Sequence, residues 1–238
     1  MDVSRQDGLA LLVAMMAMLM MTALGIGLVL TTTTETLISA NFRNSVEGLY
    51  AADAAVERAL NELLTAPDWN VLLSGTVQSA LVDGPPSGTR TLADATMLDL
   101  TRVVNVANCA KVTCSASDLV AVTSDRPWGP NNPVWRLYAY SRFSEMLPGN
   151  AIESSFYVVV MVGDDPSEND GNPLQDGAAP CAAGQNGLDG SCNPGSGVVA
   201  LRGEAFGPRG AHRAVEVTVA KADTAEAAVR VLSWREIR

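Results

Sequence analysis

The sequence predicts an α+β fold: a long N-terminal α-helix, apolar in its first half and amphipathic in its second, packed on the antiparallel β-sheet of a C-terminal head. Three observations carry this. Residues 8–34 contain no charge, apolar residues then recur at helical spacing as far as Leu63, and past Pro67 the pattern changes to short alternating runs separated by Gly, Pro, Asn and Asp.

The first half is the stretch 9–30, twenty-two residues in which only Thr22 carries a polar side chain. At about 1.5 Å per residue it forms a helix of roughly 33 Å, enough to cross a hydrocarbon core of about 30 Å. A cleavable secretory signal has a basic start, an apolar core of about 7–15 residues and a small-residue cleavage site. Here the apolar run is longer, Arg5 is balanced by Asp2 and Asp7, and "LISA" places Ile38 where a small residue is needed. The segment is therefore expected to be retained. Arg5 precedes it and the next base is Arg43, which orients the N-terminus toward the cytoplasm.

The second half, residues 31–66, places Ile38, Phe42, Val46, Leu49, Val56, Leu60 and Leu63 at steps of three, four or seven, one face of an α-helix. Arg43 and Glu47, and Arg58 and Glu62, sit one turn apart on more polar faces. Gly25, Gly27 and the β-branched run Thr31–Thr34 leave two readings of the membrane exit: local stretching or bending, or close packing of helices through small residues.

The head, residues 67–238, is expected to be a sheet that covers the Val56, Leu60 and Leu63 stripe. Its strands are read in "TRVVNVA", "DLVAVTS", "VWRLYAYSRF", "SSFYVVVMV", "GVVALRGEAF", "HRAVEVTVAKA" and "AVRVLSW". The third and fourth, like the fifth and sixth, read as strand, turn, strand. Trp69, Trp128, Trp135 and Trp234 are expected to anchor the head core or the helix rather than bind sugar.

Twenty-six acids against sixteen Lys and Arg give a formal charge of −10, which argues against a nucleic-acid partner. Four cysteines behind an export-competent segment point to an oxidising compartment. Local pairs Cys109–Cys114 and Cys181–Cys192 are the simplest of three connectivities. The second pair would restrain part of an acidic loop, residues 163–196, which has six acids and no Lys or Arg. Two readings of this loop stay open. Asp164, Asp165, Glu168 and Asp170 are candidates for a Ca²⁺ site, although Gly171 falls one place late for the calcium-loop template; the alternative is a solvated loop that serves as a partner surface. The single histidine, His212, stands at a strand start without a nucleophile motif, and no phosphate-binding or zinc-binding spacing is present. No enzymatic activity and no cofactor other than that Ca²⁺ are expected.

Gly8 before Leu9, the run "LALLVAMMAMLMMTALGIG" and the continuation "TTTTETLISANFRNSVEGLYAADAAVERAL" resemble type IV pilin-like prepilins and, among them, minor pilins of the PilX family. The resemblance covers about the first sixty residues, with a weaker echo in "VRVLSWREIR". It implies a pilin-like fold, cleavage of the leader 1–8 between Gly8 and Leu9 by a prepilin peptidase, and N-methylation of Leu9. Losing Asp2, Arg5 and Asp7 leaves 230 of 238 residues and changes the charge from −10 to −9. The usual glutamate at the fifth mature position is Val13 here. In a filament such a glutamate would neutralise a neighbour's buried amine, so its loss points to a subunit with nothing above it.

The resemblance further implies a bacterial inner-membrane protein that helps initiate pilus assembly and then occupies an extracellular tip complex supporting adhesion or twitching motility. Its partners would be other minor pilins and the major pilin through the N-terminal helix, and a large tip adhesin through the head. Rival readings are the K-type tip pseudopilin of a type II secretion system and a signal-anchored periplasmic binding domain.

Overall fold

The computed structural model describes residues 4–66, 68–146, 153–168, 171–177, 197–221 and 229–237. Helix α1 runs from Ser4 to Leu63. Residues 1–43 form one compact unit and residues 44–238 a second.

In the first unit α1 stays α-helical through Gly25, Gly27 and the four threonines, so the stretching considered for this region does not occur. Thr31, Thr32, Thr33 and Thr34 donate to the carbonyls of Gly27, Leu28, Val29 and Leu30 at 2.8–2.9 Å. Thr22 and Thr36 do the same toward Met18 and Thr32. These bonds add to the backbone ladder without replacing it.

The second unit, the head, is a five-stranded antiparallel sheet of β3 (Arg136–Arg142), β4 (Tyr157–Asp164), β5 (Val198–Phe206), β6 (His212–Lys221) and β7 (Val229–Ile237), in that order. These are the last five of the strands read from the sequence, and β3 with β4 and β5 with β6 form the expected pairs. Before the sheet come α2 (Asn70–Leu73), a ribbon of β1 (Thr89–Thr91) and β2 (Met97–Asp99), α3 (Leu100–Cys109) and α4 (Ala116–Leu119).

Two expected strands are corrected. "TRVVNVA" lies within α3, and "DLVAVTS" begins in the last turn of α4 and continues without a strand. The β-branched valines of α3 are outweighed by its cap and its buried face. The Asp99 carboxylate accepts from the amides of Thr101 and Arg102, and Leu100, Val103 and Ala107 are buried at helical spacing. The Asn108 side chain then clamps the helix to the sheet: its Nδ2 donates to the Trp135 carbonyl at 3.0 Å, and its Oδ1 accepts from the Trp135 amide at 2.8 Å. Ala110 caps α3 in the left-handed region, and the Cys109–Cys114 disulfide closes the loop behind it.

The sheet is covered on both faces. On one, residues 48–63 of α1 bury Ala51, Ala52, Ala55 and Ala59 together with Val56, Leu60 and Leu63, against Val158, Val160, Leu201, Val215, Val217 and Val219. The buried face is centred on alanines, and Val46, read as part of the stripe, is exposed. Ile38 and Phe42, in the first unit, are also exposed. On the other sheet face, α3 and Leu92 pack on Tyr140, Val159 and Met161. Strand β4 is therefore buried along its whole length. The helix is further tied by Tyr138, whose hydroxyl donates to Glu62 at 3.0 Å, and by Trp234, whose indole N–H donates to Asp53 at 2.8 Å. Trp69 and Trp135 are buried as expected of core anchors, whereas Trp128 is exposed.

The tightest approach is at Gly203 of β5. A Cβ there would lie 2.5 Å from Val56 Cγ2 and 2.7 Å from the Ala52 carbonyl oxygen. Helix backbone and sheet backbone thus meet across a gap that no side chain fits. Gly203→Ala is expected to destabilise the head by about 1–3 kcal/mol. The check is the urea midpoint of the detergent-extracted protein; an unchanged midpoint contradicts the close approach.

Candidate functional site

The first unit presents a surface that water cannot satisfy. From Val13 at 58% to Met21 at 75%, its large side chains are all more than half exposed, Met16 being the lowest at 54%. Helix residues Gly8–Leu63 include an 18-residue window of mean hydropathy 2.4, none of which is buried. The segment is long and apolar enough to cross a bilayer, and its free surface requires lipid or other apolar helices. Gly8 is exposed in the helix, and a Cβ built on it meets nothing within 4 Å; Leu9 next to it is 70% exposed. Val13 lies one turn further along the same charge-free stretch, and no carboxylate follows until Glu35.

In the head the described part of the acidic loop brings together two of the four candidate Ca²⁺ ligands and one acid that was not among them. Asp164 and Glu168 come together with Asp176, and one carboxylate oxygen from each lies within 4.8 Å of the others, all three residues being buried. Asp165 instead forms a turn with the Ser167 amide and hydroxyl. Asp170, Cys181 and Cys192 lie outside the described residues. The described acids at this site are consequently not a solvated surface. Glu168 accepts from the Gly177 amide at 2.7 Å, and Asp176 accepts from the amides of Gly197 and Val198, which opens β5. The Asn70 side chain receives the Asp176 amide at 2.9 Å, tying the loop to α2. Burial pushes the Asp176 carboxyl above its ordinary value, against the opposing pull of those two amides.

A second buried carboxylate sits at the other end of β5. Glu204 accepts from Arg202 Nε at 2.7 Å and contacts His212 Nε2 at 2.9 Å, while the imidazole stacks on Phe206. Burial would raise the Glu204 carboxyl, but His212 and Arg202 outweigh it and hold it below its ordinary value. The sequence reading of His212 as an exposed strand residue describes its position but missed this partner. The signal was available in the alternation Arg202, Glu204, Phe206, which places all three on one sheet face opposite His212.

Residues 7–57 match the family model described as PilX N-terminal. Over that segment the chain is similar to the N-terminal part of PilX-family type IV pilins. No curated protein and no solved structure matches the chain. PilX-family pilins are structural proteins that work among other pilus components, and the apolar helix is consistent with inner-membrane anchoring. The PilX match ends inside the head, where Ala51, Ala52, Ala55 and Val56 contact the sheet, so it spans both the exposed segment and much of the alanine face.

The pH behaviour of the Asp176 cluster is checkable. A carboxyl whose folded-state pKa is raised binds its proton more tightly when folded, so its contribution to stability falls as pH rises above the ordinary value of 3.8. Asp176→Asn keeps an oxygen for the two amides and removes the charge. Between about pH 4 and about pH 7, the urea midpoint of the variant is expected to rise relative to that of the unsubstituted protein. A difference that stays constant with pH contradicts the assignment.

Proposed function

We propose that this chain is a minor pilin that helps initiate type IV pilus assembly and takes part in a tip complex, supporting adhesion or twitching motility. The observation that carries the reading is the PilX N-terminal match over a segment that has no charge from residue 8 to residue 34. In this reading residues 1–8 are a leader, Leu9 becomes the methylated N-terminus, and residues 9–30 serve first in the inner membrane and then among neighbouring helices. Val13 offers no carboxylate to the amine of another subunit, which supports a place at the top of the filament. Residues 31–66 link that segment to the head, whose faces meet other minor pilins or a tip adhesin.

Because nothing surrounds Gly8, its replacement tests processing without disturbing packing. Extracted from cells that contain a prepilin peptidase, the wild-type protein is expected to have the mass of residues 9–238 plus one methyl group. Gly8→Val is expected to keep the eight leader residues. Retention of residues 1–8 in both proteins, whose masses would then differ only by the Gly8→Val side chain, would favour a plain signal anchor. Deletion of the gene is expected to abolish surface pili and leave protein secretion intact; the reverse result would favour a secretion-system pseudopilin.

A further inference from the structure

The two edges of the head sheet are not alike. Strand β3 is covered: the Ser79 amide donates to the Tyr138 carbonyl at 2.9 Å, the Tyr140 amide to Leu81 at 3.0 Å and the Asp83 amide to Tyr140 at 2.8 Å, with Val82 bridging in parallel to Tyr140. Strand β7 pairs with β6 on one side, and among the described residues no strand pairs with its other side. It is nine residues long, beyond the length at which natural sheets usually leave an edge open.

Its side chains add a surface to that edge. Val231 and Trp234, opposite Val219 and Val217 across the register shift and so on one face, are 47% and 48% exposed. The bond from Trp234 to Asp53 fixes the indole beside α1, where Tyr50, one turn earlier on the helix, is 68% exposed. Charge selects what can bind here. Residues 229–238 hold three arginines and one glutamate in a chain of net charge −10. Arg230 is exposed, and Arg235, paired with Glu216 at 2.5 Å, keeps most of its side chain in solvent. A second copy would bring two arginine-bearing strands together and two strongly acidic chains with them. An acidic strand would be attracted.

We propose that β7 is a strand-addition site for an extended, acidic segment of a different protein chain, which pairs with the β7 backbone and lays an apolar side chain on Val231 and Trp234. Main-chain pairing supplies the affinity, and the arginines reject neutral or basic strands. The irregularity in β6–β7 pairing at Thr218/Val219 and the arginines guard the edge against indiscriminate pairing while the partner is absent. The inference concerns the head alone and stands whether or not Gly8 is processed.

The test uses the full chain in its own cells, with p-benzoylphenylalanine in place of Val231. After irradiation, cross-linked peptides are mapped by mass spectrometry. The expected result is a cross-link to a segment of another protein in which Asp and Glu outnumber Lys and Arg. Its yield is expected to fall about fivefold or more in Arg230→Glu and again in Arg230→Glu/Arg235→Glu. Arg230→Glu serves where loss of the Arg235 pair with Glu216 harms folding, and the melting curve of each variant identifies that case. Cross-links confined to this chain, to a second copy or to lipid overturn the proposal. So do cross-links to a neutral or basic segment, or a yield that the arginine variants leave unchanged.

Discussion

The contact of Gly203 with Ala52 and Val56 sets the spacing of the head. Helix and sheet approach until backbone meets side chain, and only small residues permit it, which explains why the buried face of α1 is built on Ala51, Ala52, Ala55 and Ala59. The larger residues of this face are Val56, which meets Gly203, and Leu60 and Leu63 toward the end of the helix, in the same cluster as Leu72 and Leu73. With that distance fixed, the polar ties from Tyr138 to Glu62 and from Trp234 to Asp53 fall within hydrogen-bond reach, and the strands between them are held in register against the helix.

The long helix and the last five strands were legible because their periodicities are unmistakable: Val215, Val217 and Val219 alternate with wetter neighbours, and residues 8–34 are free of charge. The contact face of the helix was legible only in part. Alanine carries too little apolar weight to stand out in a pattern, so a stripe drawn through the larger residues included Val46 and passed over the alanines that make the closest contacts. In α3, local propensity pointed the wrong way. Val103, Val104 and Val106 favour a strand, but the Asp99 cap and the reciprocal bonds of Asn108 with Trp135 favour a helix, and the second of these joins residues far apart in the chain.

At the candidate sites the same limit applies. Asp164 and Glu168 are close in sequence and were singled out together, whereas Asp176 reaches them only because the loop folds back onto the start of β5. Six acids without a base read as a solvated run, and no local pattern announces that the backbone amides of Gly177, Gly197 and Val198 will donate to Glu168 and Asp176. The apolar segment of the helix, in contrast, needed nothing beyond composition, since its role follows from what it lacks.

The threonine hydroxyls of α1 carry a consequence for how deeply this helix sits. Each donates its proton to a carbonyl of the preceding turn. Residues 31–34 therefore form a zone that is indifferent to its surroundings, as comfortable among acyl chains as in the headgroup layer. A helix whose rim is neutral in this way can shift by a turn or so along the membrane normal with little resistance from the bilayer.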